Sequence, residues 1–389
     1  MNAFATATGG IAPGGWDRLA GPHLYASSGW LAFCHGDDPG RVGAVFTGGV
    51  DRPRSAVPVT AVRSMDNSFY QWHEKLTGLG LPSPGPTGLM AGQHRGYHTQ
   101  VLHAPGLSHD RAAAELLPEL RRLAADPGTR ELTGTPRRDP VPCLAMYLDD
   151  RTVGAFRRAG VTAPPVLLQL EAWIPVPDGG WAGYLEHLGY KRSVRVRRER
   201  RRFQEAGYRV EHLPLAECCE EAGHLLACTQ RRYGHPADAK ELAESFEAQA
   251  RAMSGRGEVF LARASDGRPI GFCLYYVWGD GLFLRAAGFD YEAVAGAGEY
   301  FNLVYYLPLE EASGRGVRRI HAGIEAAEAK ALRGGRLHGL WLLDLGERSV
   351  LDGLDEQVTA GNSDTLRALV GGSRTVADAL EGAALAELL

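Results

Sequence analysis

Hydrophobic and polar positions along the first third of the chain follow two spacings. Short stretches dominated by apolar residues predict strands, and apolar residues that recur every three or four positions predict helices. The predicted strands cover 42–50, 55–63, 132–136 and 141–148. Helices are predicted at three places: a short one from Trp16 onward, a second around 28–34 and a third over 110–125. The segment 78–92 is dense in Gly and Pro, which predicts a loop. The alternation of strand and helix favours an α/β domain.

Beyond residue 165 the order of the elements is more informative. A long predicted strand over 166–176 precedes an amphipathic helix at 181–189 and a strongly basic segment. Three strands separated by Asp-Gly and Gly-Asp-Gly turns then predict an antiparallel meander. A Gly-rich loop at 293–298 leads into a helix that begins at Glu299. The meander strands cover 258–264, 269–278 and 282–289, and a strand at 318–323, a helix at 324–332 and a strand at 338–345 complete the unit.

The length of the chain predicts two domains. A chain of 389 residues exceeds what one hydrophobic core usually supports, and 44% apolar and 23% charged residues are typical of a globular protein. The segment VTAPP near 160–165 interrupts the pattern and marks a boundary. We therefore expect domains at 1–160 and 165–350 and a partly helical tail at 351–389. The expected fold class is α/β (α+β), with mixed, mostly antiparallel sheets flanked by helices.

Several classes of protein find no support in the sequence. The chain has no apolar run long enough for a membrane helix and no Cys spacing typical of a metal site, and its first residues lack a basic and an apolar region, so we do not expect them to be a signal peptide. Its six cysteines therefore predict reduced thiols in a cytoplasmic protein. Its net charge of −4 argues against a generic nucleic-acid binder, so any affinity for RNA must come from a local patch, and we expect no DNA partner. G-x-S-x-G, Walker and H-E-x-x-H motifs are absent, so we expect no bound metal, no hydrolase and no NTPase.

The segment 191–202 carries eight positive residues and a single acid, Glu199. At helical spacing, a stripe of guanidinium groups forms on one side, and such a stripe suits phosphates because each group offers a planar fork of donors. The stripe consists of Arg192, Arg195, Arg198 and Arg202. We favour phosphate binding. The alternative is a solvated charged face balanced by acidic neighbours, namely Glu211, Glu217, Glu220 and Glu221.

Five segments, in this order, carry a resemblance to a known family. They are YASSGWL, LQLEAWIPV, WAGYLEHLGYKRSVRVRRERRRF, EYFNLVYYLPLEEASGRGV and HAGIEAAEAKALRGG. Together they resemble GNAT-like proteins labelled peptidoglycan biosynthesis or recognition proteins, which are relatives of the Fem-type aminoacyl-tRNA-dependent transferases. The resemblance implies two tandem GNAT-like domains with the active cleft between them.

The Gly-rich loop resembles the phosphate-binding loop of the GNAT superfamily. That loop follows the pattern Q/R-x-x-G-x-G/A, and its amides hold a pyrophosphate at a helix N-terminus. Gly296 and Gly298 match the pattern, whereas Ala293 stands where the family has Gln or Arg. The alternative is an ordinary Gly-rich turn.

The resemblance and the order of elements also predict which residues form the site. In the family a Lys followed closely by Arg-Gly occupies the place of Lys330 and Arg333. Lys330 is suited to polarise an acyl carbonyl, and His321 or Glu325 to accept a proton from the attacking amine. The structural alternatives are a packed His321 and a Lys330 that pairs with Glu328 or Glu325. The catalytic candidates are Lys330, His321, Glu325, Tyr306 and Asn302, and the candidates for the substrate cleft are Trp72, His73, Glu299, Tyr305 and Arg333.

The function expected from these features is amide formation by direct transfer of an aminoacyl group from aminoacyl-tRNA to a small-molecule amine. We expect no tightly bound cofactor and no membrane partner. The resemblance and the basic helix favour aminoacyl-tRNA as the donor. Acyl-CoA is the alternative donor, because Gly296 and Gly298 match the pattern of a phosphate-binding loop. The alternative outside enzymes is an RNA-binding or recognition module that retains a GNAT shell.

Overall fold

The computed structural model describes residues 3–38 and 40–388 and divides the chain into two compact units. Unit 1 comprises Met1–Glu171 and Leu337–Leu389, and unit 2 comprises Ala172–Arg336. The division predicted from the sequence lies at 160–165 with a separate tail, whereas this grouping assigns the C-terminal 53 residues to the first unit. Strands and helices mix within both units, which confirms the α/β class.

The strands of the two units are numbered along the chain. They are β1 (Val42–Gly49), β2 (Arg52–Val62), β3 (Gly88–Ala91), β4 (Leu102–His103), β5 (Cys143–Leu148), β6 (Val166–Pro175), β7 (Arg209–Pro214), β8 (Gly257–Arg263), β9 (Pro269–Trp278), β10 (Gly281–Phe289), β11 (Arg319–Ile324), β12 (Arg336–Asp344) and β13 (Leu380–Glu381). Strand β6 begins in unit 1 and ends in unit 2.

The helices are numbered in the same way. They are α1 (Pro13–Ala20), α2 (Ser28–Asp37), α3 (Trp72–Gly78), α4 (His109–Ala125), α5 (Pro127–Thr133), α6 (Asp150–Arg158), α7 (Gly180–Glu205), α8 (Cys219–Arg232), α9 (Ala239–Ala252), α10 (Glu299–Phe301), α11 (Leu307–Gly314), α12 (Ala327–Ala331), α13 (Asp355–Val370), α14 (Arg374–Ala377) and α15 (Ala383–Ala386). A π-helical segment, Asn302–Tyr306, joins α10 to α11, so that the backbone stays helical from Glu299 to Gly314.

Unit 1 is built on the strand order β1-β2-β3-β5-β12, with β4 beside β2 and β13 beside β12. The pairs are antiparallel except β3–β5 and β12–β13. Two predictions are wrong here. The four residues of β3 lie inside the predicted loop, and residues up to Thr133 form α5 instead of a strand, because Asp126 caps the helix and Pro127 fits its first turn.

Unit 2 contains the strand order β6-β11-β10-β9-β8-β7. Strands β7 to β10 form the predicted antiparallel meander, and the tight turns at Gly267 and Gly279 have positive φ, which glycine adopts without strain. Aromatic and aliphatic side chains from β9, β10, α7 and the helical segment after Glu299 form one core cluster. This core fixes α7 against the loop that precedes Glu299.

Two further features concern the whole chain. Within residues 3–38 and 40–388, no helix combines the length and the apolar character that crossing a membrane requires. All six cysteines are free thiols, and only Cys228 is not buried. Burial raises the pKa of the Cys143 and Cys218 thiols to about 12, so both are protonated at neutral pH.

Candidate functional site

Helix α7 carries the basic segment and is interrupted at one residue. Gly189 has φ 72° and ψ 171°, so the helix breaks there and a second helical segment starts with Tyr190. In that segment Ser193, Val196 and Phe203 are buried and lie against the core of unit 2. The opposite side, with Arg195 and Arg198, is exposed.

Some of the cations on α7 have partners within unit 2. Arg192 Nη1 donates to the Ala331 carbonyl at 3.2 Å. Arg202 Nη2 donates to the Gly296 carbonyl at 3.1 Å, which joins the Arg stripe to the Gly-rich loop. Arg200 pairs with Glu310 and lies over the ring of Trp181, and Arg201 lies 3.7 Å from Glu205.

The other four cations of the segment make no side-chain ion pair or hydrogen bond with any residue that the structure describes. They are Lys191, Arg195, Arg197 and Arg198, and all four are exposed. A cluster of unpaired like charges repels itself, and this repulsion is relieved when an anion binds. We call these four residues the free basic face.

The Gly-rich loop has the backbone conformation that its glycines allow. Gly296 and Gly298 have φ of 71° and 87°, both in the left-handed region. Asn302 Nδ2 donates to the Gly298 carbonyl at 2.8 Å and to the Glu199 carbonyl at 3.2 Å. Asn302 is fully buried, and its Oδ1 has no hydrogen-bond partner. The loop is therefore held against α7 at both of its glycines.

Glu299 directs its carboxylate back into this loop. Its Oε1 accepts a hydrogen bond from the Tyr208 hydroxyl at 2.7 Å, and that hydroxyl in turn accepts from the Ala295 amide at 2.9 Å. Burial opposes the charge of Glu299, but hydrogen bonds from its own amide, from Tyr208 and from the Ala297 and Ala295 amides keep its pKa below the ordinary value. Amides in a loop of this type would otherwise be available to an external anion.

Glu199 is the centre of a buried polar cluster that the sequence analysis did not recognise. Arg333 Nη2 donates to Glu199 Oε2 at 2.9 Å, and the Tyr306 hydroxyl donates to the same oxygen. The Arg333 guanidinium lies 3.5 Å from the ring centroid of Phe301, and its Nη1 donates to the Ala329 carbonyl. Burial raises the pKa of Tyr306, which keeps its hydroxyl protonated.

Two other candidates, Tyr305 and Tyr306, are buried in the same helical segment. The Tyr305 hydroxyl lies 3.1 Å from the Tyr300 hydroxyl, and burial raises the Tyr305 pKa well above its ordinary value. Glu299, Tyr305 and Arg333 were expected to line a substrate cleft, and each is at most 4% exposed. The role of these residues stays a prediction.

Strands β10 and β11 pair in parallel at three described positions. Gly281, Leu282 and Phe283 pair with Arg319, Ile320 and His321. Beyond this point β10 has an irregularity between Leu284 and Ala286, so Arg285 lies where its pairing shifts. His321 is 2% exposed, and its ring lies 4.7 Å from Trp173 and 5.5 Å from Phe283. The sequence analysis named neither Trp173 nor Arg285.

Lys330 lies just after a strained turn. Glu325 and Ala326 have φ of 65° and 46°, which is uncommon for residues other than glycine. Lys330 is 4% exposed, and its Nζ donates to the Gly323 carbonyl at 3.0 Å and to the Ile324 carbonyl at 2.6 Å. The ammonium group is thus held at the carbonyl of Ile324, the last residue of β11, while Glu325 is exposed.

The remaining candidates lie in unit 1. Trp72 is 1% exposed, and its Nε1 donates to the Gly85 carbonyl at 2.7 Å. His73 Nδ1 lies 2.9 Å from the Ser83 hydroxyl. Both residues begin α3 and join it to the Gly- and Pro-rich segment that follows this helix.

One group of residues in unit 2 has the composition of a metal site. Ligand atoms of His212, Glu258 and Glu311 lie within 4.8 Å of one another. Arg315 donates to Glu258 at 2.5 and 2.6 Å and to Glu311 at 2.5 Å. The guanidinium therefore already supplies the positive charge that these carboxylates require.

Comparison with known proteins identifies a family for part of the chain. Residues 172–338, less than half of the chain, match the FemAB-like family model, described as peptidoglycan biosynthesis/recognition. No curated protein matches the chain by sequence at a significant level.

Solved structures share the fold at low sequence identity. FemX has a TM-score of 0.54 and 11% identity, with 86% of this chain and 95% of that chain covered. The C-terminal domain of a putative lysylphosphatidylglycerol synthetase from Agrobacterium fabrum has a TM-score of 0.53 and 9% identity, with 91% and 96% covered. L-PGS from Bacillus licheniformis has a TM-score of 0.51 and 11% identity, with 89% and 94% covered. Residues 172–338 are therefore similar to the FemAB-like family, and the chain shares its fold with FemX and with the two synthetase structures.

Proposed function

We propose that the protein is an acyltransferase and that it moves an aminoacyl group from aminoacyl-tRNA to a small-molecule primary amine. The observation that carries the proposal is the free basic face of α7, where Lys191, Arg195, Arg197 and Arg198 are exposed and unpaired among the described residues. Phosphates along a nucleic-acid backbone are the natural partners of such a face, since their binding releases condensed counterions.

Two of the acidic neighbours, Glu211 and Glu221, pair with arginines outside this face. Glu211 pairs with Arg209 at 2.9 Å and with Arg263 at 2.7 Å. Glu221 also pairs with Arg263, at 2.7 Å. Two of the four acids that could balance the charge of the basic segment therefore pair with other arginines. This weakens the alternative in which the segment is only a solvated charged surface.

The environment of Glu299 favours tRNA over acyl-CoA as the donor. Hydrogen bonds from the Ala295 and Ala297 amides already stabilise the Glu299 carboxylate. A diphosphate in the same loop would have to displace a buried carboxylate of like charge, and this costs free energy. Acyl-CoA remains the second candidate because Gly296 and Gly298 keep the left-handed conformation of a phosphate-binding loop.

The proposed reaction is direct aminolysis of the tRNA ester. The amine nitrogen forms a bond to the acyl carbon, and the bond from that carbon to the ribose oxygen breaks. Lys330 would polarise the carbonyl oxygen, which develops negative charge in the tetrahedral intermediate. His321 or Glu325 would take the proton from the attacking amine, and the ribose oxygen leaves as a hydroxyl after it gains a proton. Asn302 and Tyr306 would hold the helical segment beside the donor.

The experiment that tests the donor is binding of the full chain to total aminoacylated tRNA and, separately, to acetyl-CoA over a series of salt concentrations. We expect tRNA binding that weakens steeply with salt. The double variant Arg195→Ala/Arg198→Ala should have a shallower slope, by up to about one for each phosphate that it no longer neutralises. Arg251→Ala is the matched control, because Arg251 is exposed on α9 and pairs with Glu247. Binding of acetyl-CoA without tRNA would support the second candidate instead.

Activity separates the enzyme from an RNA-binding module that retains the fold. Total tRNA charged with radiolabelled amino acids is mixed with the protein and a panel of small primary amines. Amide products that depend on the protein support the proposed function. Tight tRNA binding without any product would favour the binding module.

A further inference from the structure

The free basic face has an aromatic neighbour that the function proposed above does not use. Tyr190 is 82% exposed, the highest value among the large hydrophobic residues that the structure describes. Its hydroxyl makes no hydrogen bond to any residue within 3–38 or 40–388. An isolated exposed aromatic ring is ordinary, but this one borders four unpaired cations.

The helix break determines where this ring lies. Gly189 has φ 72°, so the chain turns and Tyr190 becomes the first residue of the basic helical segment. The Ser193 hydroxyl donates to the Tyr190 carbonyl at 2.9 Å and stabilises that first turn. The backbone of Tyr190 is therefore fixed, whereas its ring extends into solvent.

The spacing of residues aligns the ring with positive charge. Positions 190, 194, 197 and 201 recur every three or four residues and share one side of a helix. Lys191, Arg195 and Arg198 form the adjacent stripe. Val194, 46% exposed, extends the apolar surface of Tyr190 by one turn. The solvent side of this segment thus combines one aromatic ring, one small apolar patch and a row of guanidinium groups.

We propose that Tyr190 stacks on an unpaired base of the tRNA 3′ end while the free basic face binds the adjacent phosphates. Single-stranded nucleic acids are bound in this way, through aromatic rings for the bases and a positive groove for the backbone. The outward side carries two exposed apolar side chains, Tyr190 and Val194, too few for the broad apolar face that a helix buries in a membrane surface, so a nucleic acid fits this side better. The inference rests on the proposed tRNA donor and adds the residue that contacts the bases.

The test compares two probes, total deacylated tRNA with intact 3′ ends and the same tRNA trimmed of its unpaired 3′ nucleotides. Binding of the full chain is measured for the wild type, Tyr190→Ala and Tyr190→Phe. We expect Tyr190→Ala to weaken binding of intact tRNA between about fivefold and a hundredfold, and Tyr190→Phe to retain binding. With trimmed tRNA the wild type and Tyr190→Ala should bind equally. The salt slope should not change in Tyr190→Ala, since stacking releases no counterions.

Control variants distinguish a failure of the stacking role from a failure of the tRNA donor. Tyr233→Ala removes another exposed tyrosine of unit 2, at the end of α8, and should bind intact tRNA like the wild type. If Tyr190→Ala binds intact tRNA as tightly as the wild type while Arg195→Ala/Arg198→Ala does not, the stacking role is overturned and the tRNA donor stands. If the wild type binds neither tRNA but binds phosphatidylglycerol vesicles through Tyr190, both the stacking role and the tRNA donor are overturned.

Discussion

Arg333 and Glu199 form a buried ion pair between residues that are 134 positions apart, with 2.9 Å between Arg333 Nη2 and Glu199 Oε2. The two side chains are 3% and 16% exposed. Arg333 follows α12, the helix that contains Lys330, and Glu199 lies on the basic helix. The pair therefore links the segment of the catalytic candidates to the segment of the phosphate-binding candidates within unit 2.

Loss of this pair should destabilise the protein strongly. In Arg333→Met the largely buried carboxylate of Glu199 keeps, among the residues that the structure describes, the Tyr306 hydroxyl as its one side-chain donor, so we expect the free energy of unfolding to fall by about 3–5 kcal/mol. Urea denaturation at constant m-value measures this change. Arg201→Met is the matched control, because Arg201 and Glu205 are 71% and 67% exposed, and should cost less than about 1 kcal/mol. Equal losses in the two variants would contradict a structural role for the buried pair.

The sequence indicates the burial of Glu199, but the count of charges over 191–202 treated this residue only as a single acid among eight cations. Val196, Glu199 and Phe203 are three and four residues apart, so they share the side of α7 that faces the core. An acid at an apolar position of an amphipathic helix predicts a buried partner. The identity of that partner, Arg333, depends on long-range packing and has no local sequence signal.

Local patterns explain which elements were predicted well. Strand β9 was predicted with its observed limits, because Asp266, Gly267 and Gly279 mark the turns on both sides. Strand β3 was missed because four buried residues among Gly and Pro carry no measurable period. The positions of Trp173 and Arg285 follow from the short pairing of β10 with β11, which no segment of sequence specifies alone.

Stability should depend on pH through Glu299. Its pKa in the folded state lies below the ordinary value of 4.5, so its hydrogen bonds stabilise the protein above that pH and lose their effect as the pH falls through the folded pKa. Glu299→Gln should therefore lower the free energy of unfolding at pH 7 by about 1–3 kcal/mol, and by less at pH 3. Denaturation curves at both pH values measure the difference. The control Glu292→Gln removes an exposed acid near the same loop, and a similar profile there would argue against the Glu299 network.

A second pH effect, of the same sign, is expected in unit 1 from His109. Burial lowers the pKa of this side chain to about 4 from 6.5, and its Nε2 lies 3.0 Å from the Thr152 hydroxyl. The unfolded chain binds a proton near pH 6.5 that the folded chain does not bind, so stability falls between pH 6.5 and 4. His109→Gln should lack this loss, which we expect to be about 1–2 kcal/mol, roughly half of what the shift gives at 1.36 kcal/mol per pKa unit. Thermal melts across this range measure it, with His224→Gln on the surface of α8 as control.

Lys330 should affect turnover far more than donor binding. Its ammonium group is held by the Gly323 and Ile324 carbonyls at the end of β11, the strand that also contains His321, and the proposed function gives it the role of polarising the acyl carbonyl. Removal of one such electrophilic group typically lowers kcat by about 10²–10³. We therefore expect Lys330→Met to lose aminoacyl transfer to that extent in single-turnover assays with charged tRNA, while the Kd for tRNA changes less than about twofold.

The binding measurement in the same samples controls for folding, since a variant that unfolds would lose tRNA as well. Lys240→Met is the matched control, because Lys240 is 86% exposed at the start of α9 and lies 3.8 Å from Glu244. It should keep both binding and turnover. If Lys330→Met transfers aminoacyl groups at the wild-type rate, Lys330 does not polarise the carbonyl. The next residue to replace would then be Arg285, at the irregularity of β10.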